Sequence, residues 1–177
     1  VGDWGNIQFN SGSDDTSLIT RAVIRYSGRG GSFVDDGAIR LSNASPTLSY
    51  ITFEKNYINA VQIEGGIAWQ TDTWDNTTVV YLVQGGNVTI QPANVLTINP
   101  GMKIKMTGFV TFIVNGKIVV PGTAADPVTF SSFKDDSLCG LGAFNEPICD
   151  SHEDGPSAGA VGDWGNIQFN SGSDDTS

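Results

Sequence analysis

Residues 87–120 read NVTIQPANVLTINPGMKIKMTGFVTFIVNGKIVV, and the fold turns on how this stretch repeats itself. Val88 and Ile90 recur as Phe112 and Val114, 24 residues on; Leu96 and Ile98 recur as Ile118 and Val120, 22 residues on. Each pair is apolar-x-apolar, the alternation of a strand buried on one face. The segments between the pairs, Gln91-Pro92-Ala93-Asn94, Asn99-Pro100-Gly101 and Asn115-Gly116, are turn chemistry. Two strands that recur together at one interval are the mark of a solenoid, in which like residues stack once per coil. A sandwich of hairpins would alternate between paired neighbours. Few strands here are joined by two-residue Asn-Gly turns, and Asn115-Gly116 serves equally as a solenoid corner.

The pattern extends along the chain. Ile7/Phe9, Ile39/Leu41, Val61/Ile63, Ile104/Met106, Val128/Phe130 and Ile167/Phe169 form one column, at spacings of 32, 22, 43, 24 and 39 residues. Ala22/Ile24 and Ile51/Phe53 match at 29. The residues inside the first column's pairs, Gln8, Arg40, Gln62, Lys105 and Thr129, are polar and are expected to face outward. No long stretch has the helical period. The expectation is an all-β parallel β-solenoid of about five coils per period, with Ile7, Ile39, Val61, Ile104 and Val128 stacked inward.

The period is set by an identity. Val1–Ser17 read VGDWGNIQFNSGSDDTS, and residues 161–177 repeat all 17 positions at an offset of 160. Residues 1–160 are therefore read as one full solenoid period and 161–177 as the start of the next; a duplication engineered at the two ends is the alternative. The second copy is expected one period on, in the place of the first. At about 4.8 Å between strands, five coils advance roughly 24 Å. The chain opens on Val rather than Met, which reads as a processed or excised piece.

Composition narrows the function. Nineteen acids against nine bases among 177 residues give a net charge of −10, which argues against a nucleic-acid surface. One period carries −7, so an array would be acidic along its length. No run approaches the roughly 18 apolar residues of a membrane span. There is one His and no cluster at zinc or iron spacing.

Several segments carry a family likeness: Gln70–Trp74, Val79–Gln84, Asn87–Ile90, Leu96–Gly101, Val114–Gly116, Gly122–Ala124, Asp126–Phe130, Lys134–Asp136 and Gly162–Phe169, with Gly2–Phe9, Ala22–Ser27, Ala38–Ser45 and Pro46–Asn56. Together they resemble the coils of bacterial and archaeal right-handed parallel β-helix repeat proteins, in circularly permuted order over essentially the whole chain. The resemblance implies a right-handed, pectate-lyase-like β-helix and large secreted or surface proteins of many coils, usually without a demonstrated enzymatic activity.

Candidate sites are few. Trp4, Trp69, Trp74 and Trp164 offer faces for stacking on sugar rings; the competing assignment makes them core or lid residues at coil corners. Acidic pairs stand at Asp14/Asp15, Asp35/Asp36 and Asp135/Asp136, and Asp150 and Asp154 follow in a later loop. Asp135, Asp136, Asp150 and Asp154 are the calcium candidates, because calcium takes clustered oxygens, although solvated acidic loops are the preferred reading of them. No other cofactor is indicated. Cys139 and Cys149, ten residues apart in a Gly/Pro-containing insertion, are expected to form a disulfide in an extracellular setting, against the alternative of two free thiols. Sequons at Asn43, Asn76 and Asn87 are glycosylation candidates. Enzymes on this fold use paired carboxylates on an exposed strand face, and here only Glu64 stands beside the outward column, so no catalytic residue is assigned.

The expectation is a structural repeat unit of an extracellular or cell-surface filament or stalk, whose partner is itself through continuation of the solenoid. A glycan- or protein-binding adhesin module is the alternative, and a polysaccharide lyase or hydrolase the remote one.

Overall fold

The computed structural model describes residues 3–28, 37–142, 144, 146–152 and 155–174. The chain runs through its strands three at a time. The first circuit is β1 (Ile7–Phe9), β2 (Leu18–Thr20) and β3 (Val23–Arg25); the second is β4 (Ile39–Leu41), β5 (Thr47–Ser49) and β6 (Thr52–Glu54). Three more follow: β7 (Ala60–Glu64), β8 (Ala68–Trp69) and β9 (Asp72–Trp74); β10 (Val80–Gln84), β11 (Val88–Ile90) and β12 (Val95–Ile98); β13 (Lys103–Met106), β14 (Phe112–Val114) and β15 (Lys117–Val119). Then come β16 (Thr129–Ser132), a small hairpin of β17 (Gly140–Leu141) and β18 (Pro147–Ile148), and β19 (Ile167–Phe169).

Leading strands of successive circuits bond to one another in a six-stranded sheet, β1-β4-β7-β10-β13-β16. The remaining strands build β2-β5, β3-β6, β19-β14-β11-β8 and β15-β12-β9. Every described pairing is parallel except β17–β18, and no helix occurs among the described residues. The fold is all-β, with stacked, mostly parallel sheets visited in rotation, an arrangement compatible with a β-solenoid.

The register is the one the repeat spacings imply. Ile7 pairs with Ile39 and Ile39 with Val61; Val88 pairs with Phe112, Leu96 with Ile118, and Ile24 with Phe53. Inward side chains stack into one core that includes Ile39, Val61, Ile63, Ile90, Leu96, Ile104 and Phe112, all fully buried. Each such side chain stabilises by about 1.5–3 kcal/mol, and a one-residue slip would turn the whole row outward. Trp74 packs edge-on against Trp69, at 6.0 Å between ring centroids, and against Phe112 at 6.1 Å. At the corner after β7 and β10, Gly65 and Gly86 lie so close that a Cβ on Gly65 would fall 1.9 Å from the Gly86 carbonyl oxygen. Only glycine permits that stacking.

Three expectations are corrected. The first column holds six strands, because Tyr81 and Val83 of β10 stand between Val61/Ile63 and Ile104/Met106. Its upper end shifts by two residues: Phe130, not Val128, pairs with Ile104, so Ser131 rather than Thr129 follows Lys105 in the outward row. The second copy does not continue this column. Ile167 pairs with Phe112, and Phe169 with Val114, in a different sheet.

The path also changes between the second and third circuits. Gln70 N donates to Asn43 Oδ1 (2.7 Å) and Thr78 Oγ1 to Ile51 O (3.0 Å). The corner leading into β5 thus meets the corner between β8 and β9. The outer strand β6 is met instead by the β17 segment of the insertion, whose Leu141 N bonds Thr78 O at 2.7 Å.

Candidate functional site

Two copies of one 17-residue sequence give an internal control, because whatever they share is locally encoded and whatever differs comes from their neighbours. They share the turn after the strand. Gln8 Nε2 donates to Asn10 Oδ1 and Gln168 Nε2 to Asn170 Oδ1, both at 2.7 Å. Ser13 N bonds Asn10 O (2.9 Å) as Ser173 N bonds Asn170 O (3.0 Å), and Gly12 and Gly172 both take positive φ, 81° and 92°.

Their partners are complementary. The first copy is bonded from the coils that follow it: Ser42 N donates to Phe9 O (2.9 Å), Thr47 N to Ser17 O (2.9 Å) and Ser45 N to Asp15 Oδ1 (2.8 Å) from the second circuit, and Gln70 Nε2 to Asp15 Oδ2 (2.8 Å) from the third. The second copy is bonded to the coil that precedes it. Gly165 N donates to Val110 O (2.9 Å), Phe112 N to Asn166 O (2.9 Å), Asn170 N to Val114 O (3.0 Å) and Asp174 N to Gly116 O (2.9 Å). Asn170 Nδ2 reaches Asn115 Oδ1 at 2.9 Å, and Lys117 Nζ lies 3.7 Å from Asp174. Gly5 has no atom within 4 Å of the place a Cβ would take, whereas a Cβ on Gly165 would stand 2.4 Å from Val110 O. The sequence therefore fits a coil on either side, and each copy uses one side.

Asp163 fastens the second copy further. Its Oδ2 accepts from Ser132 Oγ (2.7 Å) and Ala160 N (2.8 Å), and Lys134 Nζ stands 3.5 Å from Oδ1. The Ser132 hydroxyl is the main cause, with the Ala160 amide next, that holds this carboxyl below the ordinary 3.8. A cleft of about 340 Å³ between Met106, Thr107, Ser132 and Asp163 separates the second copy from the upper part of the long sheet.

The outer face of that sheet carries the insertion. Leu82 points outward among Ile58, Ala60 and Val80, and Tyr57 and Phe133 pack over them. Lys105 is fully buried there; Nζ donates to Cys149 O and Ser151 Oγ at 3.1 Å each and lies 3.8 Å from Asp136. Burial pushes its pKa below 10.5, while Asp136, Asp135 and Asp150 pull the other way. Ser151 O accepts from Asn59 N at 2.7 Å, so one buried ammonium and one backbone bond pin the insertion to the sheet. Sequence reasoning missed this role for Lys105 and Ser151; the available signal was a Lys in the same outward row as an apolar Leu82.

Cys139 and Cys149 are bonded to each other. Trp69 and Trp74 are 1% exposed, so neither presents a face to a sugar. Trp74 Nε1 instead donates to buried Asp72 at 3.0 Å. Burial raises the Asp72 carboxyl above 3.8, against the hydrogen bonds from Ser45, Thr73 and Trp74. Trp4 is 43% exposed and donates to Arg25 O (2.9 Å), and Trp164 packs partly buried on the core.

The acidic candidates are spread over separate tasks. Asp135 accepts from Ser131 and Ser137, and these hydroxyls lower its pKa. Asp136 takes the Ser157 amide at 2.6 Å and faces Lys105; Asp150 caps the His152 and Gly155 amides at 3.1 and 2.8 Å. Asp154, Asp35 and Asp36 lie outside the described residues. Among the described residues no three His, Cys, Asp or Glu side chains gather where a metal ion could sit. Glu64 is engaged by Arg40 and by Ser42 Oγ. Of the sequons, Asn87 is exposed, Asn43 is held between Ser11 and Gln70 N, and Asn76 is buried with Oδ1 accepting from Thr78. Burial at Asn76 leaves no room for a glycan in the folded chain.

No family model, curated protein or solved structure matches the chain. No described helix is long and apolar enough to cross a membrane.

Proposed function

We propose that the chain is a structural segment of an extracellular or cell-surface fibre, stalk or layer, in which 160-residue periods follow one another as a continuous right-handed parallel β-solenoid. The observation that carries this is the pair of half-used interfaces: the repeated segment is bonded from above in one copy and from below in the other, and Gly5 matches a contact seen only at Gly165. The structural partner is a further copy of the same period. Residues 1–160 form the repeating unit and 161–177 belong to the unit that follows. The resemblance to bacterial and archaeal β-helix repeat proteins, the acidic charge and the Cys139–Cys149 bond agree with secretion or surface display. The chain's chemistry is spent on itself: Glu64, Asp72, Asp136 and Lys105 are bound within the fold, and two of the four tryptophans are core.

The test is electron microscopy of polypeptides of one, two and three periods. The expected result is a rod that lengthens by about 26 Å per period, at about 4.8 Å per circuit. Beads of unchanged diameter joined by flexible joints would reject the continuous solenoid.

A further inference from the structure

Resting on that serial reading, we propose that successive periods are not related by translation alone: each starts one sheet further around the solenoid than the last. In the first copy the Ile-Gln-Phe strand is β1, which opens the long sheet beneath β4. In the second copy it is β19, bonded to β14 in the neighbouring sheet. Between the two starts lie the sixteen described strands β1 to β16, three to a circuit, apart from the hairpin β17–β18. The second copy therefore begins five circuits and one strand after the first. The insertion carries the extra step. Leaving β16, the chain crosses the outer face of the long sheet, is pinned at Lys105, and comes back over Val110 rather than over β16.

The consequence is a staircase. The second and third sheets of the first two circuits, β2-β5 and β3-β6, do not run on into β8 and β9, so the offset sets the rise of one period, five circuits and a strand or about 26 Å at about 4.8 Å per circuit, and no longer repeat. The disulfide-bonded insertions climb around the axis and present on successive sides, where a pure translation would line them up as one ridge. A fibre built this way offers the same surface feature in several lateral directions.

Two measurements test it. In the 177-residue chain, Ile113→Cys with Gln168→Cys places two outward, paired positions together, while Ser131→Cys with Gln168→Cys matches the unshifted arrangement. Under mild oxidation the first pair is expected to cross-link at least tenfold faster, mapped by non-reducing mass spectrometry against the native Cys139–Cys149 bond. Faster closure of the second pair overturns the shift and leaves the serial solenoid standing. Cryo-electron microscopy of a three-period polypeptide is expected to show each insertion turned about the axis from the one before it. A continuous rod with its insertions in a single row overturns the shift alone, and a rod that is not continuous overturns the serial reading and the shift with it.

Discussion

Alanine at Gly165 and alanine at Gly5 are the same change to the same sequence, and they should behave differently. At Gly165 the new Cβ would lie 2.4 Å from Val110 O, 2.6 Å from Thr111 Oγ1 and 3.1 Å from Phe109 O. Two of these are backbone atoms, so relief requires β19 to lift by about 1 Å from β14, strain of about 1–3 kcal/mol. Lifting stretches the Gly165–Val110 and Asn166–Phe112 bonds, each 2.9 Å, at about 1 kcal/mol apiece. The expected cost is about 3 kcal/mol. At Gly5 nothing stands within 4 Å and φ is not in the left-handed region, so the change should stay within about 0.5 kcal/mol. Amide exchange is the assay, because a loss at one edge strand is local before it is global. At about 1.4 kcal/mol per decade, G165A should speed exchange at 165–170 by about a hundredfold, with β1 unaffected. The added methyl marks which copy a fragment comes from, and fragments reaching back to Pro156 mark the second copy in the parent chain. Equal effects of the two substitutions, or unchanged protection at 165–170 in G165A, would refute the claim that the copies use opposite sides of one strand.

Ile63 is buried between Leu41 and Val83 in the long sheet, so Ile63→Asp should cost about 4 kcal/mol or more in denaturant unfolding, with the chain unfolded at the extreme. Lys105→Met removes the ammonium shared by Cys149 O, Ser151 and Asp136; it should cost about 3 kcal/mol and open the 139–152 insertion to limited proteolysis, while exchange in β7 and β10 stays slow. Reduction and alkylation of Cys139 and Cys149 should likewise loosen the insertion with its β17–β18 hairpin and leave the parallel sheets intact, since the ring lies outside them; loss of the parallel sheets' circular dichroism would contradict this. Asp163 titrates below 3.8 when folded, so the unfolded chain binds the proton more tightly. Its contribution is complete above about pH 4 and is lost as pH falls through the folded value; exchange at 161–170 should rise in that acid range in the parent chain and much less in Asp163→Asn.

What was legible in the sequence followed the physics of a strand with one wet face. Where a strand buries one side, as at Val88/Ile90 and Phe112/Val114, alternation survives and the spacing of the pairs is enough to give the register. Val80–Gln84 escaped because the insertion dries its outer face: Leu82 is as buried as Val83, the alternation vanishes, and an apolar run carries no period to align. The same covering explains Lys105, whose polar identity suggested solvent and whose actual partners arrive from residues 44 and 46 positions away. The two-residue slip at Phe130 has a smaller cause, since Val128 and Phe130 are both apolar and either satisfies the pattern. The sheet that receives the second copy was beyond reach for another reason. A spacing of 39 residues from Val128 to Ile167 measures chain length, and chain length inside an insertion does not record how many sheets it passes over. Only the partner does, and the partner is Val110: its carbonyl accepts the Gly165 amide at 2.9 Å and excludes any side chain there. Carried over to the first copy, that exclusion gives Gly5 a reason that nothing within 4 Å of it supplies, which is why the strongest case for a neighbouring period rests on an open space beside a glycine.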